Sequence, residues 1–242
     1  MTMTAQPPLN LQRKFWDSWA AISGDKGYEE ISARQARTVC DWLSSLDVTD
    51  MKLLEVGCGT GWLCPRLAAF GNVTATDLSP TQIETARTLF PQVRFLAGDF
   101  MTLELEPEQF DVVVTLEVLA HVADQQAFVE RIARLLKPNG LLMLATQNRP
   151  VLERYNRIEP PGPGQIRRWV DARELTALLS RSFRILELKS VTPRANRGVM
   201  RLLNSRKINY PVRALFDDRF ERLKERLGLG WTLVALARKV SP

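Results

Sequence analysis

The chain has a single histidine, His121, three tyrosines and three cysteines (Cys40, Cys58 and Cys64) in 242 residues. Cysteines so few and so unevenly placed exclude a disulfide framework and a zinc site; no metal is expected, and a reducing cytoplasmic setting fits best. No apolar run reaches the ~18–20 residues that span a bilayer, so no transmembrane segment is expected. The N-terminus, Met1 to Pro8, lacks a basic region followed by an apolar stretch, which argues against export. The formal charge of +6 is concentrated between Pro193 and Leu227, where ten Lys/Arg stand against four Asp/Glu, leaving the remainder near neutral. A local excess of this kind suits an anionic substrate, a nucleic acid, a membrane surface or simply a solvated helical face.

Hydrophobic residues make up 45% of the chain and charged residues 25%, enough to bury a core. Apolar residues at helical spacing predict helices over Leu11–Ala21 and Ile31–Leu46. From Lys52 the pattern alternates. Strands are expected over Leu53–Val56, Val73–Thr76, Val93–Leu96, Phe110–Leu116 and Leu141–Thr146, with helices over Trp62–Phe70, from Ser79-Pro80 onward, and over Asp124–Leu136. Ser79 supplies a cap and Pro80 a first-turn proline. The helix over Asp124–Leu136 is expected to end before Lys137-Pro138-Asn139-Gly140, and Glu159–Gly164 reads as a breaker-rich loop. Asp171, with Glu174 three residues later, predicts a capped helix through Leu179. Phe183–Val191 and Trp231–Arg238 read as two further strands. Strands alternating with helices imply a parallel sheet covered on both faces, with a binding crevice beyond the strands' carboxyl ends.

The most informative stretch runs from Lys52 to Trp62, where an apolar strand enters three alternate glycines, Gly57, Gly59 and Gly61. Glycine there permits a tight turn and lets a ligand approach the main chain. The helix expected behind it would aim its free N–H groups at the same place. Asp77 ends the second strand, 22 residues after Glu55, where a carboxylate can accept from both ribose hydroxyls. Asp99 follows the third strand, where it can meet an adenine edge while Phe100 or Leu78 packs on the ring; Glu117 follows the fourth. A nicotinamide site would want G-x-G-x-x-G, and Trp62 stands where its last glycine would be. Glu55 would repel a pyrophosphate and suits a cationic amino group. The cofactor expected carries ribose and adenine at one end and an ammonium at the other, as S-adenosylmethionine does.

These motifs resemble the class I S-adenosylmethionine-dependent methyltransferases, in particular the ubiquinone/menaquinone-biosynthesis type of small-molecule O-methyltransferase. The resemblance rests on Glu55-Val56-Gly57-Cys58-Gly59-Thr60-Gly61, Glu117-Val118-Leu119-Ala120-His121-Val122, Leu136-Lys137-Pro138-Asn139-Gly140 and Thr146-Gln147-Asn148-Arg149. Ala120 departs from the pattern, which usually has glutamate there. The resemblance implies an α/β, Rossmann-like, seven-stranded and mostly parallel sheet with an antiparallel last strand and helices on both faces. One domain is expected: an N-terminal helical lid over residues 1–50, a core over 51–192, a basic helical insertion over 193–230 between the last two strands, and the last strand over 231–242. It further implies that Gly57, Cys58, Gly59 and Gly61 line the methionine part of the cofactor and that Glu55 orients its amino group. Asp77 would hold the ribose and Asp99 the adenine, with Leu78, Phe100, Leu116 and Glu117 completing the site.

Methyl transfer is an in-line displacement, so the protein mainly aligns the nucleophile and excludes water, with a general base where the acceptor is a hydroxyl. His121 is the candidate base, or else it packs beside the cofactor or hydrogen-bonds a backbone carbonyl. Phe15, Trp16 and Trp19 on the first helix, Tyr155 and Trp169 about the Pro/Gly loop, and Arg197 in the basic segment are candidates for the acceptor site. A small-molecule acceptor is expected, on a monomer or homodimer. An RNA acceptor is a second reading prompted by the basic segment, opposed by Leu116-Glu117-Val118-Leu119 in place of an Asn/Asp-Pro-Pro-aromatic motif. A cofactor-binding protein of the same fold without methyl transfer is a third.

Overall fold

The computed structural model describes residues 6–22, 26–198, 201 and 219–240. Two helices, α1 (Leu9–Ile22) and α2 (Lys26–Ser44), precede a seven-stranded sheet. Its strands are β1 (Met51–Val56), β2 (Gly71–Asp77), β3 (Arg94–Ala97), β4 (Phe110–Leu116), β5 (Leu136–Gln147), β6 (Phe183–Pro193) and β7 (Gly230–Lys239), in the order β3-β2-β1-β4-β5-β7-β6. The first five are parallel, and β7 runs antiparallel to both β5 and β6. The remaining helices are α3 (Cys64–Leu67), α4 (Pro80–Leu89), α5 (Gln125–Leu135), α6 (Arg149–Tyr155), α7 (Ala172–Leu179) and α8 (Arg219–Arg226).

Successive strand residues point to opposite faces, and both faces are apolar because both are covered. Leu53, Val112, Val114 and Met143 pack with Trp42 and Leu43 of α2 and Ile83 and Ala86 of α4. Their neighbours Leu54, Val113, Leu142 and Leu144 pack on the other face with Phe128 and Ile132 of α5 and Leu175 and Leu179 of α7. Three helices begin as their sequences require. Ser79 Oγ accepts from Gln82 N at 3.2 Å and Asp124 Oδ1 from Ala127 N at 2.9 Å. Asp171 Oδ1 accepts from the amides of Arg173 and Glu174 at 2.9 Å, and Glu174 Oε2 accepts from Asp171 N at 2.8 Å, a complete capping box.

Three local readings are corrected. The helix expected over Trp62–Phe70 is one turn, Cys64–Leu67: Gly61 is still in a left-handed turn at φ 77°, and Phe70 N already closes on Leu67 O at 2.9 Å before β2 begins. A turn so short lacks the aligned amides that were to face the ligand, so the loop itself must make the cradle. The fifth strand, expected from Leu141, begins at Leu136 and takes in Lys137–Gly140 as an irregular start: Leu136 pairs with Phe110, Asn139 sits at φ 62°, and the ladder slips between Phe110 and Val112. After β5 a helix not expected from the sequence, α6, starts at Asn148 with Pro150 in its first turn. The basic segment over 193–230 falls largely outside the described residues; 193–198, 201 and 219–230 are within them. Among the described residues no helix is long and apolar enough to cross a membrane.

The sheet's order reverses between β1 and β4, whose carboxyl ends lie side by side with Val56 opposite Thr115. That switch point opens a crevice between the two crossovers, where ligands of open α/β sheets bind.

Candidate active site

Just beyond β1 the chain passes through Gly57, Gly59 and Gly61 at φ 79°, 56° and 77°, a region that residues with a Cβ seldom enter. Close packing forbids side chains there as well. A Cβ on Gly57 would fall 2.1 Å from Val118 Cγ2, and one on Gly59 2.9 Å from Gln82 Oε1. One on Gly61 would press on Phe95, Phe90 and Ala86. The loop is pinned to the end of β2: Gly57 N and Cys58 N both donate to Thr76 O, at 2.7 and 3.0 Å. Gly59 N donates to Asp77 Oδ2 at 2.8 Å, while Asp77 Oδ1 accepts from Ser79 N at 2.9 Å.

The loop forms one wall of a cavity of about 1300 Å³, larger than the roughly 300–1,000 Å³ of a usual small-molecule site. Carboxylates from three neighbouring strand ends enter it: Glu55 from β1, Asp77 from β2 and Asp99 just after β3. Glu55 is 3% exposed and pairs with no cation among the described residues; Cys64 Sγ donates to its Oε2 at 3.1 Å, and burial pushes its carboxyl up to about 7. Burial also raises Asp77, against the amides of Ser79 and Gly59. Asp99 Oδ1 accepts from Met101 N at 3.0 Å. Gly57, Cys58, Gly59, Leu78 and Leu116 line the same part of the cavity, as does Phe100, which also meets Phe128 edge-on at a ring separation of 5.3 Å. Burial raises both Cys58 and Cys64, so these thiols stay protonated and act as packing groups.

The cavity also has an aromatic lining. Phe15, Trp16 and Trp19 of α1 line it, together with Trp169 and Trp231. Helix α1 is held there by Gln82 Nε2 donating to Trp16 O at 3.0 Å and by a short hydrogen bond from Ser79 Oγ to Asp17. Trp16 meets the His121 ring edge-on at 4.8 Å. His121 lies in the turn after β4, with Nδ1 2.7 Å from Ile166 O. Burial pushes the imidazole down to about 4, helped by the charge of Arg167 and opposed by the Ile166 hydrogen bond. Glu117, the first residue after β4, has its carboxylate turned toward the N-terminal helices: Gln35 Nε2 of α2 and Thr232 Oγ1 of β7 both donate to Oε1. Burial raises its carboxyl to about 7, the two hydrogen bonds opposing.

Three expected site residues do not line the cavity. Gly61 is enclosed by Phe90, Phe95 and Ala86, so its part is to let the loop close on α4 and β3. Tyr155 ends α6, where its carbonyl accepts from the amides of Asn196 and Arg197. Arg197 is corrected from an acceptor-gripping cation to a helix-end clasp: its Nε donates to Arg154 O at 2.8 Å and its other nitrogen to Glu153 O. Free carbonyls at a helix C-terminus attract a guanidinium.

Residues 54–144 match the family described as Methyltransferase domain. A ubiquinone biosynthesis O-methyltransferase of Bartonella tribocorum is 33% identical over 157 residues, which are 59% of this chain and 63% of that protein. One of Rickettsia prowazekii is 39% identical over 108 residues, 43% of this chain and 42% of that protein. The chain thus spans less than two thirds of the curated relatives it matches. The N-methyltransferase NodS of Bradyrhizobium japonicum, solved with S-adenosyl-L-homocysteine, superposes with a TM-score of 0.60 at 17% identity, covering 96% of this chain and 100% of that one. At that identity the likeness shows the fold.

Around the glycine loop the structure adds residues that the sequence did not single out: Asp17, Gln35, Gln82, Gln147 and Trp231. Gln147 and Thr232 are register partners on β5 and β7, and Gln35 reaches both Glu117 and Thr232. Of these only Gln147 lies in a quoted motif; the others are separated in sequence by scores of residues and carry no local pattern.

Proposed function

We propose that this chain transfers a methyl group from S-adenosylmethionine to an oxygen of a small-molecule acceptor. The observation that carries this reading is Glu55, a buried carboxylate with no cationic partner among the described residues, beside a glycine loop whose Gly59 amide is held by Asp77. A buried charge needs a counter-charge, and an amino acid's ammonium is one of the right sign and size. Glu55 would take that ammonium beside Gly57, Cys58 and Gly59. Asp77, with one lone pair on each oxygen used by an amide, would take the ribose hydroxyls with the rest. Asp99 would meet the adenine edge, between Leu78 and Phe100. When bound, the sulfonium supplies a methyl group already activated for displacement.

The protein's own work is placement and exclusion of water. Helix α1, tied to α4 through Trp16 and Ser79, roofs the cavity. Trp16, Trp169 and Trp231 give the acceptor side an apolar, aromatic wall that suits a ring-bearing or apolar molecule. The relatives' names favour oxygen as the acceptor atom. Arg197, the residue of the basic segment expected to grip an anionic acceptor, is engaged with α6 instead. The reading is tested by incubating the chain with methyl-labelled S-adenosylmethionine and a small-molecule extract of cells. Label should enter a metabolite as a base-stable ether. Label found only in RNA, or nowhere, contradicts it.

A further inference from the structure

The carboxyl group of Glu117 is half used. Both of its hydrogen bonds arrive at Oε1, from Gln35 and Thr232, and among the described residues nothing donates to Oε2. The two donors are 1% and 0% exposed and come from separate elements, α2 and β7, so the plane of the carboxylate is fixed from two sides. The residue lines the cavity and holds a left-handed backbone, φ 62°, which only a surrounding structure that overrides the strain maintains. On the adjoining strand, Gln147 lines the same cavity, and its Oε1 is buried with no partner. A buried acceptor without a donor is a group prepared for a ligand that brings one.

We propose that Glu117 Oε2 takes the proton of the acceptor hydroxyl, with Gln35 and Thr232 as positioning residues and Gln147 Oε1 receiving a second hydrogen bond from the same molecule. This rests on the methyl-transfer reading above. The acceptor's O–H bond breaks with its proton passing to Glu117, and the oxygen's electron pair forms the O–CH3 bond. The S–CH3 bond breaks as this happens, its electron pair staying on sulfur, which becomes a neutral thioether; the proton then leaves Glu117 for solvent.

His121 suits this task less. Its Nδ1 is committed to Ile166, and an imidazole held at about 4 has little tendency to keep a proton near neutrality, whereas Glu117 lies at about 7. Burial alone raises Glu117. The charged groups on the elements around it are directed elsewhere: Arg34 of α2 pairs with Glu225 at 3.0 Å, Glu55 of β1 holds the Cys64 thiol, and Arg167 stacks over Trp169.

The test uses the full chain loaded with S-adenosylhomocysteine, with phenol as the probe, in calorimetric titrations from about pH 5.5 to about 8.5. A hydroxyl donates more strongly to a carboxylate than to a carboxylic acid, so phenol affinity should rise about tenfold as pH passes through 7. Glu117→Gln, which keeps an oxygen for Gln35 and Thr232, should abolish the rise. Gln35→Ala should move the midpoint to higher pH, because it removes a donor that favours the ionised form. No phenol binding to the native chain, a flat native profile or an undiminished rise in Glu117→Gln overturns the proposal, and an unmoved midpoint in Gln35→Ala overturns the positioning role. Failure of the native chain to bind S-adenosylhomocysteine overturns the methyl-transfer reading instead.

Discussion

His121 Nδ1 lies 2.7 Å from the carbonyl oxygen of Ile166, which joins the turn after β4 to the loop before Val170. A carbonyl only accepts, so the proton is on Nδ1 and the lone pair on Nε2. The imidazole is neutral in the folded protein, at about 4, and would titrate at 6.5 when unfolded. Between those values the unfolded chain binds more protons, so this residue's contribution to stability is present above pH 6.5 and falls away as pH drops toward 4. The loss is up to about 3 kcal/mol. Urea unfolding of the native chain and His121→Asn at several pH values should show the native advantage shrinking as pH falls through this window. A constant difference would contradict the assigned state.

Glu55 predicts a proton coupled to ligand binding. In the free protein its carboxyl lies at about 7, so near that pH about half of the molecules carry the proton. An ammonium beside it favours the ionised form and expels that proton. Titrations with S-adenosylhomocysteine in buffers of different ionisation enthalpy should detect roughly half a proton released per ligand near neutrality. Affinity should weaken as pH falls below 7. Glu55→Gln should abolish the release and weaken binding at every pH.

Gly57 is constrained twice, by φ 79° and by Val118. Gly57→Ala should destabilise the fold by about 2 kcal/mol or more, since left-handed strain and overpacking each cost about 1–3 kcal/mol. Adding Val118→Ala opens the space and should restore part of that loss, with the backbone strain remaining. Denaturant midpoints of the two variants decide it; no recovery in the double variant would show that the contact with Val118 is not the obstacle.

Ser79 has two duties, capping α4 and anchoring α1 through Asp17. Ser79→Ala should cost about 1 kcal/mol for the lost cap. It should also speed amide exchange in Leu9–Ile22 more than in β1 or β4. Equal effects across the chain would leave α1 independent of that anchor.

What the sequence displayed follows from which interactions are local. Glycine spacing, the Ser79-Pro80 start, the Asp171–Glu174 box and the strand alternation are all written within a few neighbouring residues, and the sheet formed where those signals lie. The α6 start was legible too, in Asn148 and Pro150, but was overshadowed by the strand before it. The one-turn α3 was not, because a run of helix-compatible residues does not disclose that β2 must begin at Gly71 to pair with Met51. Nor could spacing show that Gln35, Glu117 and Thr232 share one hydrogen-bonded group across 197 positions, or that Arg197 turns to the end of α6. Those contacts are made by topology.

The proposed methyl-donor site requires Asp77 to hold the ribose. Calorimetric titration with S-adenosylhomocysteine, of the native chain and of Asp77→Ala, measures this directly. The native chain should bind one ligand, and the variant, still folded by circular dichroism, should bind more weakly by about 100-fold or more, as expected for two lost hydrogen bonds to a charged group. Equal affinity in the two proteins, or no binding to the native chain, would contradict it.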